Sequence, residues 1–377
     1  MLLRVEKREI RIDTHMVANL VGFKQVSKRR YQMKRNVFYF KDINSVGGVE
    51  SWFYYLSKLY KNMVVYYREG NEEQIKRLAH NIEVHKYKEG EIIECDNFFC
   101  CYNPDIIGNV KAKMYAHIIH CDYKEVNFKP IMNDKFNKYI AVSKLSGDSF
   151  KELTGKDYEL IYNPVAIDIP KVEKYNDDKI HLISATRLTK EKGLNRMQKL
   201  AKLLEKNHIN YEWLVYTNRK RAPIGNHVIY KDQKLDIIKD IAKADYLVQL
   251  SNCEAFCYSI VESLCVGTPV IATNLPVLKE LGIENGKNAI ICDFSMEGID
   301  LDLINKKCLK IAYKPPKSEW NRYLDNNTSY NPTDKIKVRV LKKYYDIELG
   351  HLNRNEEKTM SKERASYLEC KGLVEVI

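Results

Sequence analysis

Apolar positions in this chain fall into short blocks separated by longer amphipathic stretches. Asn36-Val37-Phe38-Tyr39-Phe40 reads as a buried strand, and Ser45-Val46-Gly47-Gly48-Val49-Glu50 as a glycine turn. An amphipathic segment from Trp52 to Leu59 predicts a helix, and Asn62-Met63-Val64-Val65-Tyr66-Tyr67 another strand. Strand, glycine turn, helix, strand is how a doubly wound parallel sheet begins. Strands are predicted over 113–119 and 138–142, with a helix over 146–153. A polar stretch over 171–179 reads as a linker, after which the alternation restarts. Strands are predicted over 179–184, 212–216, 228–230, 246–250 and 270–272, with helices over 194–206 and 258–266. This is a second α/β unit with a parallel sheet. Beyond about residue 330, Ile336-Lys337-Val338-Arg339-Val340 alternates like a strand. Ser361 stands where it would cap a helix over 362–370, Gly372 follows, and 373–377 reads as a last strand. The expected organisation is an extension over 1–35, α/β domains over 36–168 and 169–328, and a small α+β module over 329–377.

A length of 377 residues and 45% hydrophobic content fit two globular domains with real cores. No run of about 18 apolar residues occurs, so no transmembrane helix is expected. Charges interrupt the N-terminus too early for a signal peptide, so a cytoplasmic location is expected, peripheral to the inner membrane face if membrane-associated. Ten cysteines, among them Cys95, Cys100, Cys101, Cys121, Cys253, Cys257 and Cys265, lie mostly in apolar runs without disulfide or zinc spacing. They read as buried free thiols. The formal charge of +12 favours anionic partners: nucleotide phosphates, an anionic membrane surface, a polyanionic acceptor or nucleic acid. Within 1–35, ten Lys or Arg face three acids, and Leu3-Arg4-Val5 and Ile10-Arg11-Ile12 alternate like short strands of a solvated edge hairpin or a basic contact patch.

The richest chemistry lies in Asn252-Cys253-Glu254-Ala255-Phe256-Cys257-Tyr258-Ser259-Ile260-Val261-Glu262-Ser263-Leu264, between an apolar strand and Gly267-Thr268-Pro269. Glu254 is expected at the C-terminal end of a parallel strand, where ligands of open α/β sheets collect. The N–H groups of Phe256, Cys257 and Tyr258 are expected at a helix N-terminus, a natural seat for a pyrophosphate. Ile260, Val261, Leu264 and Cys265 form the expected buried stripe, with Glu262 on the other side, pointing back toward the loop. A carboxylate accepts two hydroxyl bonds at once, which suits a ribose or sugar diol. Asp300-Leu301-Asp302 has the form of a metal-binding triplet but follows no buried strand and reads as chance.

This setting resembles glycosyltransferase family 4, the retaining GT-B enzymes with two glutamates eight positions apart. The resemblance runs over roughly residues 36–325 and implies two Rossmann-like domains facing across a cleft. It implies that Glu254 contacts the donor sugar and Glu262 the ribose hydroxyls. In Ala185-Thr186-Arg187-Leu188-Thr189-Lys190-Glu191-Lys192-Gly193, Arg187 and Lys192 would neutralise the donor diphosphate and the leaving charge. Gly47 and Gly48 would let backbone approach the donor phosphate or the acceptor. His120, at the end of a predicted strand, would touch the donor sugar or the reacting centre, with His117 as its competitor. Ile140-Ala141-Val142-Ser143 and Tyr162-Asn163-Pro164-Val165 match further landmarks. Ala255 stands where the family often has Gly, and Cys257 where it often has Gly or another small residue, which leaves sugar identity open.

The implied activity is transfer of a sugar from a nucleoside diphosphate sugar, UDP-sugar favoured over GDP-sugar, to a hydroxyl of a glycan, lipid-linked or polyanionic acceptor. No cofactor or essential metal is implied. The alternatives are a catalytically silent binding or structural protein of the same fold, and a nucleic-acid glycosyltransferase of phage type. Nucleic acid is the less favoured partner.

Overall fold

The computed structural model describes residues 35–126, 128–218, 222–307, 309, 311–325 and 330–377; the short strands expected within 1–35 lie outside these. The first domain runs β1 (Asn36–Phe40), α1 (Gly48–Leu59), β2 (Met63–Tyr67), α2 (Glu72–Ala79), β3 (Glu83–Lys86), β4 (Asn97–Cys101), β5 (Met114–Ile119), β6 (Lys138–Ala141), α3 (Lys144–Thr154) and β7 (Glu159–Leu160). Its seven strands are all parallel, in the order β7-β6-β5-β4-β1-β2-β3. Val37, Phe38 and Tyr39 are all buried, as in a strand covered on both faces. The Phe38 ring packs against Trp52 and Phe53 of α1 at 5.8 and 6.2 Å.

Sequence patterning finds β1, β2, β5 and β6 to within about a residue but not β3 or β4. Glu83-Val84-His85-Lys86 has three polar residues in four, and Asn97–Cys101 is too short and unalternating to declare itself. Helix α1 starts at Gly48, four residues earlier than expected. Gly47 is its extended N-cap, and Ser51 N–H donates to the Gly47 carbonyl at 3.0 Å. The expected glycine turn is therefore the helix start itself.

The second domain runs β8 (Ile180–Ala185), α4 (Leu194–Lys206), β9 (Tyr211–Thr217), β10 (Val228–Asp232), α5 (Ile238–Lys243), β11 (Tyr246–Gln249), α6 (Tyr258–Cys265), β12 (Val270–Thr273), α7 (Pro276–Glu280), β13 (Ala289–Cys292) and α8 (Leu301–Lys306). Its parallel sheet has the order β10-β9-β8-β11-β12-β13. Met197, Leu200, Ala201 and Leu204 of α4 are buried at the spacing of one helical face. Both sheets reverse their winding direction, the first between β1 and β4, the second between β8 and β11. Such switch points leave a crevice at the carboxyl ends of the strands.

After α8 the chain turns back toward the first domain. Trp320 is fully buried against Phe38, Trp52 and Phe99 of the first domain, with centroids 5.9, 5.4 and 5.6 Å apart. Tyr323 donates to Glu159 at 2.6 Å, and Arg322 pairs with the same carboxylate at 2.8 Å. A large indole gains most by filling a ready apolar pocket, and that pocket belongs to the other domain.

The C-terminal module consists of β14 (Lys335–Val340), β15 (Tyr344–Asp346), β16 (Gly350–Leu352), β17 (Glu357–Ser361), α9 (Lys362–Cys370) and β18 (Val374–Val376). An antiparallel sheet β17-β14-β18 stands beside the hairpin β15–β16. The Ser361 hydroxyl caps α9 by accepting from Arg364 N–H. The module covers the open edge of the first sheet. Ser366 Oγ donates to the Val84 carbonyl at 3.0 Å, and Lys86 N–H donates to Glu369 at 3.2 Å. Exposed strand edges invite unwanted pairing, and α9 satisfies this one. Among the described residues, no helix is long and apolar enough to cross a membrane.

His85 lies at this junction, its Nε2 2.6 Å from Glu83 and its Nδ1 3.8 Å from Glu369. Burial pushes the imidazole pKa down, but the Glu369 and Glu83 carboxylates outweigh it and raise it to about 9. A raised folded pKa gives stability that is complete below the usual value of 6.5 and is lost as pH rises through about 9. The corresponding contribution is on the order of 3 kcal/mol. We expect thermal unfolding of the parent to shift downward between about pH 6 and pH 10. His85→Gln should lack that step; an equal shift in both proteins would contradict the assignment.

Candidate active site

A cleft of about 1660 Å³ opens where the two sheets present their strand ends. Phe40 ends β1, Tyr102 follows β4, Ala185 ends β8 and Gln249 ends β11, and all four line it. The cleft therefore lies at both switch points together. Of the site residues singled out from the sequence, Gly47, Gly48, His120, Arg187, Lys192, Glu254, Phe256, Cys257, Tyr258 and Glu262 line it, and His117 does not.

Glu254 follows β11 by five residues and is held in one orientation. Its Oε1 accepts from Lys192 Nζ at 2.8 Å, Ser251 Oγ at 2.8 Å and Gln249 Nε2 at 3.2 Å. Thr273 Oγ1 fixes the loop beneath by donating to the Ser251 carbonyl at 2.6 Å. Lys192 is largely buried; desolvation lowers its pKa, but the Glu254 charge and hydrogen bond outweigh this, so it stays protonated. Arg187 is more than half exposed and pairs with Glu191 at 2.8 Å. An exposed pair of this kind is weak enough to be exchanged for a phosphate.

Cys257 caps α6 in the left-handed conformation, with φ of 61°. That region favours glycine, so a side chain is held here at a cost. The eight-residue helix α6 presents its first-turn N–H groups, which have no intrahelical acceptor, at the cleft. Ile260, Val261 and Leu264 are fully buried, whereas Cys265 is only partly so, a correction to the expected stripe.

Glu262 lines the cleft as well. Its Oε1 accepts from the Tyr55 hydroxyl of α1 at 2.7 Å, across the cleft. Burial raises the Glu262 pKa, and the Tyr55 bond and the Arg77 charge partly offset this. Arg77 of α2 lies 3.4 Å from the Tyr54 ring centroid. Tyr55 and Arg77 escaped the sequence reading because no local spacing links them to a glutamate some two hundred positions away. Gln249 and Ser251 escaped it for a different reason: each reads as an ordinary strand-end residue.

His120 follows β5, its ring 4.9 Å from Trp52 and its Nε2 3.2 Å from Cys101 Sγ. Burial, helped by His117, pushes its pKa down to about 3, so it is neutral at physiological pH. His117 lies instead in the core beside Phe136 and Phe150. Gly48 opens α1 toward the cleft, and a Cβ there would meet nothing within 4 Å. Asp300 caps α8 by accepting from Leu303 N–H at 2.7 Å. All nine cysteines among the described residues are free thiols, five buried and four partly so.

Residues 166–304 match the family model described as glycosyl transferases group 1. Among solved structures, HepE of Anabaena in complex with UDP and glucose superposes with a TM-score of 0.57 at 16% identity, over 72% of this chain and 89% of that one. The same protein in complex with UDP-glucose gives 0.55, at 16% identity and over 72% and 88%. A glycosyltransferase from Rickettsia africae ESF-5 gives 0.50 at 16% identity, over 73% and 93%. At such identity the structural likeness establishes the fold, which is GT-B. No curated protein matches the chain by sequence. Fold and matched domain together define a glycosyltransferase enzyme. The matched residues lie almost wholly in its second domain.

Gly193 carries a constraint that sets the position of Lys192. Its φ is +82°, and a Cβ would lie 1.8 Å from the Leu250 carbonyl oxygen. Asn252 N–H donates to the Glu191 carbonyl at 2.8 Å, so two loops are clamped together here. Gly193→Ala should cost about 2–4 kcal/mol and lower the melting temperature by several degrees. An unchanged melt would show that the loops can part without cost.

Proposed function

We propose that the chain is a retaining glycosyltransferase moving a sugar from a nucleoside diphosphate sugar to a hydroxyl acceptor without an essential metal. UDP-sugar is favoured over GDP-sugar. The observation that carries this reading is the placement of Glu254, tied to Lys192, and Glu262 on either side of the α6 N-terminus at a sheet switch point.

The diphosphate would lie on the α6 N–H groups, flanked by Arg187 and Lys192, with Gly48 giving room opposite. These positive groups would absorb the charge that gathers on the departing phosphate. Glu262 would accept from the ribose hydroxyls and Glu254 from those of the donor sugar. Glu254 is already bound by three donors on one oxygen, which suits a fixed acceptor of hydroxyl bonds better than a nucleophile. In the reading favoured here, the bond from anomeric carbon to phosphate oxygen breaks and the bond to the acceptor oxygen forms on the same face. The acceptor proton passes to the departing phosphate, through an oxocarbenium-like transition state. Neutral His120 would offer a hydrogen bond near the reacting centre rather than a charge. HepE, of the same fold, is solved with UDP and with UDP-glucose, which supports the choice of uridine.

We expect the full chain to release UDP from a UDP-sugar in a screen of UDP-, GDP- and ADP-sugars. Lys192→Ala should lower kcat by about 10²–10³-fold, the size seen when one preorganised donor is lost. Glu262→Ala should raise the donor KM about 10-fold or more; a mutant equal to the parent would sink the ribose assignment. Because burial raises the Glu262 pKa, UDP affinity should fall on acidification at a pH above the ordinary carboxylate range. Tyr55→Phe removes a bond that favours the ionised form and should move that midpoint upward in a titration of UDP binding by calorimetry.

A further inference from the structure

The first-domain side of the cleft changes character away from Arg77. Phe40, Tyr102 and Phe128 form an aromatic surface, Tyr102 lying 6.2 Å from Phe40 and 6.1 Å from Phe128. Tyr102 has φ of 57°, a conformation that a bulky residue adopts at a cost and keeps only when its surroundings hold it there. His120 at 5.9 Å helps hold the ring. Phe128, propped edge-on by Tyr123 at 5.9 Å, leaves about half of itself exposed.

Carboxylates line the same side of the cleft: Asp42, Asp122, Glu125 and the largely buried Glu50. Asp122 is 7% exposed, and its Oδ1 accepts from Lys124 N–H at 3.1 Å. Lys124 itself pairs with Glu152 and does not line the cleft. Among the described residues of this stretch of wall, from Phe40 to Ser51 and from Tyr102 to Phe128, no Lys or Arg lines the cleft. This wall lines the same cleft as Cys253, Glu254 and Lys192.

Two physical consequences follow. Flat rings present an apolar face to the C–H face of a sugar, while carboxylates beside them accept from its hydroxyls. Like charges brought together across an interface cost several kcal/mol, so a phosphate or uronate here is rejected. This local charge is opposite to that of the chain as a whole, at +12.

We propose that this wall is an acceptor subsite for the ring of a neutral saccharide, stacked on Tyr102 and Phe128 and hydrogen-bonded by Asp122 and Glu125. It discriminates against polyanionic glycans and nucleic acid. The proposal rests on the transfer reading above and narrows its acceptor.

The test uses the full chain with neutral p-nitrophenyl hexosides, p-nitrophenyl glucuronide and a glycerol phosphate oligomer. Binding is read by saturation-transfer NMR without donor, and turnover by acceptor-dependent UDP release. Neutral hexosides should bind and turn over at least 10-fold better than either anion. Phe128→Ala, which alters an exposed ring, should raise the neutral-acceptor KM about 10-fold. Glu125→Lys should narrow the preference against glucuronide several-fold. Equal or better binding of the anions by the parent, no contact with any neutral hexoside, or parental behaviour of both variants would overturn the proposal. Failure of every UDP-sugar to turn over would strike the transfer reading instead, and the NMR arm would still decide this one.

Discussion

The bond from Lys192 Nζ to Glu254 Oε1 is the constraint on which the rest of the site depends. Burying two charges costs several kcal/mol in lost hydration, recovered only when geometry and neighbouring hydrogen bonds are good. Here Gln249 and Ser251 donate to the same carboxylate oxygen, and Gly193 lets the Lys192 loop press against the end of β11. The pair joins the loop after β8 to the loop after β11, the two loops that border the second sheet's switch point. A cation and an acceptor are thus kept at fixed separation before any ligand arrives, so little reorganisation is left for the reaction.

Besides a continuous apolar cluster that runs through both, in which the Tyr55 and Tyr258 rings lie 5.4 Å apart, the two domains meet through polar contacts. Tyr55 reaches Glu262, Tyr258 donates to the Pro164 carbonyl at 2.9 Å, and Glu280 of α7 accepts from the Lys144 and Leu145 N–H groups that open α3. Contacts of this kind are individually modest and exchangeable, which suits a cleft that closes over a ligand. The returning segment around Trp320 works in the opposite sense, anchoring the end of the second domain in the core of the first. The cleft also carries two electrostatic characters. Its second-domain side offers Arg187, Lys192 and a helix N-terminus, and the outer part of its first-domain side offers carboxylates and rings. A chain-wide net charge therefore describes neither wall.

What the sequence by itself determined is what local periodicity and local chemistry determine. Helices Leu194–Lys206 and Lys362–Cys370 are legible to the residue, because each has a clear start and the first also an apolar stripe. The order of strand, Glu254, short helix, Glu262 and glycine turn is legible because all of its parts lie within one supersecondary unit. Tertiary structure alone decided everything that joins distant positions. It brought Tyr55 to Glu262, placed Trp320 in the other domain's core, and seated α9 on the edge strand β3. It also sent His117 into the core and His120 into the cleft, and made a half-exposed Phe128 part of a wall. The physical reason is that periodicity reports which face of an element is apolar, not which surface covers it. That choice is settled by packing the whole chain at once.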